Sequence, residues 1–207
     1  MKNLDIPSCK VTLIGDSGVG KTSIISRYIS GIFQSDYTPS INMNYSNKIH
    51  EFNGQKVRLD IWDTAGQEVY KSIGRNFYVN AYIVILVYDI TSLQSFENLK
   101  NIWYPEVKQY GEQYHILSLV GNKDDLFLSE KVKVEEATKF ANEIGAQFSI
   151  ISAKTGKGVD DLFSELGNKF LSPNFKKKAQ VEYRARHTVK LKPNIIENKT
   201  KKCACSK

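Results

Sequence analysis

The chain has 207 residues, 41% of them hydrophobic and 25% charged, with a formal net charge of +7. That length suits one domain of about 150–200 residues with an appendage, and no run approaches the roughly 18 apolar residues of a membrane span. The charge is uneven: residues 174–207 hold 11 Lys/Arg against 2 Asp/Glu, a balance of +9, which leaves residues 1–173 with 18 against 20, or −2. A slightly acidic body with a basic arm suggests a polyanionic partner, either nucleic acid or an anionic membrane.

In chain order, Met1-Lys2-Asn3-Leu4-Asp5 lacks the apolar core of a signal peptide and the Gly of a myristoylation signal. Lys10–Ile14 reads as a strand ending at Gly15, with Cys9 as an ordinary strand residue. A helix opens at Lys21 and stops near Ser30-Gly31, where glycine caps it. Tyr45–Phe52 and Lys56–Trp62 are strand-like, and Asn53-Gly54 between them predicts a tight antiparallel hairpin. Tyr82–Asp89, His115–Gly121 and Gln147–Ser152 are apolar with little alternation, as strands buried on both faces are. Helical patterns at Ser92–Tyr110, Val134–Gly145 and Val159–Leu171 separate them. The expected fold is α/β: a six-stranded, mostly parallel sheet with one antiparallel edge strand and helices on both faces. The apolar period stops at Ser172-Pro173, so residues 1–172 form the expected domain and residues 173–207 a basic, disordered tail. Three cysteines are too few to staple this fold, and a reduced, cytosolic chain is expected.

Gly15-Asp16-Ser17-Gly18-Val19-Gly20-Lys21-Thr22 fits G-x-x-x-x-G-K-[ST] after a strand and at a helix start. The backbone of such a loop wraps a phosphate with its N–H groups; Lys21 reaches the β- and γ-phosphates, and the Thr22 hydroxyl binds Mg²⁺. A glycine-rich turn with an incidental Lys-Thr would carry the same letters. Asn122-Lys123-Asp124 lies at the carboxyl end of a strand, where open α/β sheets bind ligands. There Asp124 can accept the N1–H and N2–H of guanine, Asn122 can brace the loops, and the Ala153 N–H of Ser152-Ala153-Lys154 can meet guanine O6. Asp63-Thr64-Ala65-Gly66-Gln67-Glu68 follows another strand. Asp63 is suited to hold Mg²⁺ through water, the Gly66 N–H to sense a γ-phosphate, and Gln67 to orient an attacking water. Each motif alone also reads as a polar loop; their joint occurrence favours chemistry.

In this order and spacing the motifs resemble the Ras superfamily of small GTPases over roughly residues 8–172, and Gly-Asp-Ser-Gly-Val-Gly-Lys, Trp62 and the cysteine-bearing tail resemble its Rab branch. The resemblance implies a P-loop G domain that binds GTP and GDP with Mg²⁺ and hydrolyses GTP slowly. Residues 16–23 (Asp16 to Ser23) would hold the phosphates. Phe33 would pack on guanine, flanked by the stems of Lys123 and Lys154, and Tyr37 would close over the phosphates. Ile41, Tyr45, Trp62 and Phe77 match the surface that meets effectors, although the aromatic three suit core packing of the hairpin too. The chain departs from the family at Ser40, which stands where Thr is usual; the hydroxyl for Mg²⁺ is retained and a packing methyl lost. Asn42 and Val69-Tyr70 also replace Rab residues. Residues 31–42 contain no Arg to serve as a finger in cis, so hydrolysis is expected to be slow without an activating protein.

Cys203-Ala204-Cys205-Ser206-Lys207 is not a CaaX box, because Ala204 occupies the fourth place from the end. It resembles the Rab double-prenylation signal at Cys203 and Cys205, and two chains beside Lys199, Lys201 and Lys202 would anchor stably. The implied partners are an exchange factor, an activating protein, escort or GDI-type prenyl-binding proteins and effectors. The implied place is the cytosolic face of an endomembrane or the plasma membrane, cycling with cytosol, where the protein would regulate vesicle traffic. A nucleic-acid arm is disfavoured, since only Tyr183 interleaves the tail's charge. A module that holds GTP without hydrolysing it stays open because of the altered switches.

Overall fold

Asn53 and Gly54 both take positive φ (49° and 76°), the two-residue turn whose twist matches its flanking strands. They join β2 (Asn44–Phe52) to β3 (Gln55–Asp63) antiparallel, with Tyr45 opposite Trp62 and Phe52 opposite Gln55. The computed structural model describes residues 6–33, 44–63, 75–112, 114–177 and 179. β1 (Ser8–Ile14), β4 (Ile83–Asp89), β5 (Ile116–Asn122) and β6 (Gln147–Ile150) complete a six-stranded sheet of order β2-β3-β1-β4-β5-β6, in which every pair but β2–β3 is parallel. The expected architecture is therefore present, with strand ends shifted by one or two residues.

Burial explains the absence of alternation in the central strands. Every residue of β4 is buried, but its side chains divide by pleat: Ile83, Ile85 and Val87 join one core, Val84, Leu86 and Tyr88 the other. The first core lies under α1 (Lys21–Ser30) and α6 (Val159–Leu171), whose Ile24, Tyr28, Leu162 and Phe163 are buried there. The Tyr28 and Phe163 rings stack at 3.8 Å between centroids. The second core lies under α3 (Leu93–Asn98), α4 (Tyr104–Tyr110) and α5 (Val134–Glu143). Gly31 caps α1 in the left-handed region and returns its N–H to Arg27 O. A short α2 (Arg75–Tyr78), absent from the expectations, precedes β4.

Two expectations change. The helix read continuously over Ser92–Tyr110 is three pieces, with a wide turn over Leu99–Trp103 closed by Tyr104 N–H to Leu99 O. Pro105 is the physical reason: it cannot donate to the carbonyl of Asn101, and in an α-helix its ring would collide with that oxygen. The body also does not end at residue 172. A further helical turn covers 173–177, and buried Phe175 packs against Tyr82, Tyr114 and Phe170 with centroids 5.7–6.5 Å apart. Among the described residues no helix is long and apolar enough to cross a membrane.

Candidate nucleotide site

Because β1, β3, β4, β5 and β6 are parallel, the loops that follow them gather at one edge of the sheet. The loop after β1 is shaped by glycine: Gly15, Gly18 and Gly20 take φ of 146°, 79° and 98°. A Cβ at Gly15 would overlap the Val87 carbonyl, and one at Gly20 the Asn122 carboxamide. This loop thus lies directly on β4 and on the end of β5, which only glycine permits. It leads into α1 with the first helical amides at its base.

Lys21 is buried, and its Nζ donates to Gly15 O at 2.7 Å and Asp16 O at 2.8 Å. Two of its three protons are used there, and one is left for a ligand. Burial pushes its pKa down to about 8, against the opposing pull of Asp63 and Asp16. Val19 is buried and Ser23 half-buried, whereas Ser17, Gly18 and Thr22 are exposed. The Thr22 hydroxyl donates to Asp63 Oδ2 at 2.6 Å. Asp63 is buried with its pKa raised by desolvation, and its Oδ1 has no hydrogen-bond partner among the described residues. A buried carboxylate with an orphan oxygen beside a hydroxyl is a donor set that fits a small hard cation.

The base-side loops are tied by buried Asn122. Its Nδ2 donates to Val19 O at 2.8 Å, and its Oδ1 accepts the Ala153 N–H at 3.1 Å. One carboxamide thereby joins the loops after β1, β5 and β6. The Ala153 N–H, expected to face a base, is engaged by this bond. Lys123 sits at φ 73°, and its ammonium pairs with Asp89 Oδ2 at 2.6 Å, which orients its stem across the loop. Asp124 is half-buried, with Lys157 Nζ on Oδ2 at 2.5 Å; a carboxylate oxygen has capacity for a second donor. Ser152 is buried and donates to Asp125 Oδ1 at 2.6 Å, and exposed Lys154 lies 3.8 Å from Asp125 Oδ2. Phe33 is half-buried against the first core, just past α1.

Three contributors escaped the motifs. Arg27 donates to Ala153 O at 2.8 Å, Lys154 O at 2.5 Å and Gly31 O at 2.5 Å, clamping α1 to the loop after β6. Asp89 holds Lys123 and is itself held by the Thr91 N–H and hydroxyl at 2.8 and 2.7 Å. Lys157 covers Asp124. Only Asp89, at a strand end, carried a readable signal. Asp16 holds Lys21 by its carbonyl, but its carboxylate turns away from the loop, onto Asn98 and Trp103. Of the aromatic three, Tyr45 is exposed and meets Trp62 edge-on at 5.3 Å, and Trp62 and Phe77 are half-exposed. Tyr45 and Trp62 are thus surface residues rather than hairpin core. Tyr37, Ser40, Ile41, Gly66, Gln67, Cys203 and Cys205 lie outside the described residues.

A glycine-cradled lysine at a strand–helix junction, a carboxylate–hydroxyl pair and a carboxylate-bearing loop braced by Asn122 define a P-loop nucleotide-binding protein. The profile of the Ras family matches residues 10–172. The chain is 37% identical over 182 residues to the Ras-related protein Rab-26 of Mus musculus, covering 87% of this chain and 70% of that one. It is 39% identical over 195 residues to Rab-13 of Canis lupus familiaris (94% and 95%) and 40% identical over 159 residues to RabC of Dictyostelium discoideum (76% and 81%). The chain belongs to the Ras family, on its Rab-like side. It is a small GTPase, a GTP-binding regulator of membrane traffic.

Proposed function

We propose that the loops of this edge hold GTP, with each group assigned by the chemistry beside it. The observation that carries the proposal is Asn122, whose side chain bonds the phosphate loop and the loop after β6 at once. Residues 16–23 surround the α- and β-phosphates, and Lys21 carries its charge to the β- and γ-phosphates. Asp124 accepts the two guanine N–H groups, the Lys123 and Lys154 stems flank the ring with Phe33, and the loop at Ser152 and Ala153 meets O6. Selection for guanine follows because adenine has no N1–H to donate.

Ras-family GTPases use GTP and GDP, typically with Mg²⁺. Thr22, Asp63 and Ser40 would hold the ion here, and when bound it neutralises phosphate charge. Gln67 positions the attacking water, the Gly66 and Ser40 amides meet the γ-phosphate, and Lys21 stabilises charge on the β–γ bridge. Release of the γ-phosphate frees the segments carrying Ser40 and Gly66, which is the switch. Ile41, Tyr45, Trp62 and Phe77 present the effector surface. Cys203 and Cys205 carry prenyl chains that, with the basic tail, place the protein on the cytosolic face of a membrane, where an exchange factor, an activating protein and prenyl-binding escorts act on it.

Single-turnover hydrolysis tests this reading. The purified protein is expected to cleave GTP at about 10⁻⁴–10⁻² s⁻¹, because no Arg stands in cis within residues 31–42. Gln67→Leu is expected to slow it at least tenfold. Turnover near ~1 s⁻¹ without a partner, or equal rates for the two proteins, would overturn the assignment.

A further inference from the structure

Asp16 is bonded on two sides. Its carbonyl oxygen accepts from Lys21 Nζ at 2.8 Å. Its carboxylate leaves the phosphate loop: Oδ1 accepts the Trp103 indole N–H at 2.7 Å, and Oδ2 accepts from the Asn98 carboxamide at 2.7 Å. Both donors come from the helical segment between β4 and β5, five positions apart. On an α-helix, at about 100° per residue, they would point about 140° apart and could not share a carboxylate.

They share it because of the wide turn. Leu99–Trp103 is closed by Tyr104 N–H to Leu99 O, an i to i−5 bond. Such a turn takes in an extra residue and brings positions five apart back onto one face. Pro105, which excludes an ordinary turn here, is exposed. Trp103 and Asn98 are each half-buried, so neither bond is freely exchanged with water. Sequence separations of 82 and 87 residues join here at one carboxylate.

We propose that this clasp sets how firmly the phosphate loop holds a nucleoside diphosphate, with Asn98 and Trp103 as positioning residues that act through Asp16 on Lys21. The inference rests on the reading of the loop as the nucleotide site. By fixing the Asp16 side chain, the clasp fixes the peptide plane whose carbonyl aims the Lys21 ammonium. It also connects the surface at Pro105 to nucleotide retention.

The test is release of a fluorescent GDP analogue from the full chain, read beside thermal unfolding. Trp103→Phe keeps the ring and removes the donor; it is expected to speed release about tenfold, the scale of one hydrogen bond to a charged group. Asn98→Ala and Pro105→Ala, which lets the turn revert to an α-helix, are expected to speed release by similar factors. Ile102→Ala, exposed in the same turn, leaves release unchanged. The decisive arm is Trp103→Phe in an Asp16→Ala background, where it is expected to change release less than twofold even if it lowers the melting temperature. Equal effects in both backgrounds, or release within twofold of the unaltered protein for Trp103→Phe, Asn98→Ala and Pro105→Ala alike, would overturn the clasp alone. Failure of the unaltered protein to bind GDP would overturn the site reading and the clasp with it.

Discussion

The phosphate side and the base side of the site are built by opposite means. The phosphate loop is local: residues 15 to 22 are contiguous, and their shape comes from three glycines at positive φ and from a lysine bonded five and six positions back. The base side is assembled. Asn122 reaches Val19 and Ala153, Arg27 reaches Ala153 and Lys154, and Asp89 holds Lys123, across separations of 31 to 127 residues. A local device depends on backbone conformation and fails outright when that conformation is denied. An assembled one depends on tertiary bonds and weakens by increments.

The sharpest break of this comparison is Gly20→Ala. The position has φ 98°, and the added Cβ would overlap the Asn122 carboxamide. Strain of about 1–2 kcal/mol for an L-residue there adds to the displacement of Asn122. Nucleotide affinity is expected to fall at least a thousandfold, measured by equilibrium binding of GDP, because both sides of the site are disturbed at once. Retention of affinity within tenfold would show that the loop adapts, contrary to a backbone-determined cradle.

Asn122→Ala is the matching test on the assembled side. It removes two bonds from a buried carboxamide and leaves Val19 O and the Ala153 N–H unpaired. The expected loss is about 2–4 kcal/mol, or about thirty- to several-hundredfold in GDP affinity. Guanine preference should relax as well, because Asp124 loses its fixed position. Competition of GDP against ADP measures that second effect; preserved preference with lowered affinity would mean that Asn122 serves the phosphate loop alone.

The same division explains what the sequence could reveal. The phosphate loop and the hairpin turn at Asn53-Gly54 are local signatures, so their residues name their own conformations. The strands were readable because β4 and its neighbours are buried on both faces and therefore uniformly apolar. Arg27 was not readable, since nothing in Ser26-Arg27-Tyr28 marks a side chain that bonds carbonyls 126 and 127 residues away. Nor was the wide turn before Pro105: a helical pattern reports which residues face the core, and one extra residue per turn blurs that pattern without erasing it. Phe175 followed an apparent stop at Ser172-Pro173, and a single apolar residue has no period to detect. Asp16 stood inside a phosphate-binding motif, so its letter suggested the loop while its carboxylate belongs to Trp103 and Asn98.

The smallest effect tests the local device without a substitution. Burial lowers the pKa of Lys21 to about 8, and the neighbouring carboxylates only partly offset it. A phosphate placed against the ammonium favours the charged form and raises that pKa again. Below about pH 8 Lys21 is already protonated in the free protein, and affinity should not depend on its titration. Above it the free protein has lost the proton that the complex retains, so binding takes one up and GDP affinity falls by about tenfold per pH unit. Folding responds with the opposite sign: the unfolded chain binds more protons than the folded one between about pH 8 and Lys21's ordinary value of 10.5, so stability without nucleotide rises across that window. Calorimetry of GDP binding at pH 7 and pH 9, in buffers of different ionisation enthalpy, reads the proton directly. Uptake near one proton at pH 9 and near zero at pH 7 is the expected result. Equal uptake at both would mean that Lys21 remains charged throughout, and that its bonds to Gly15 O and Asp16 O outweigh its burial.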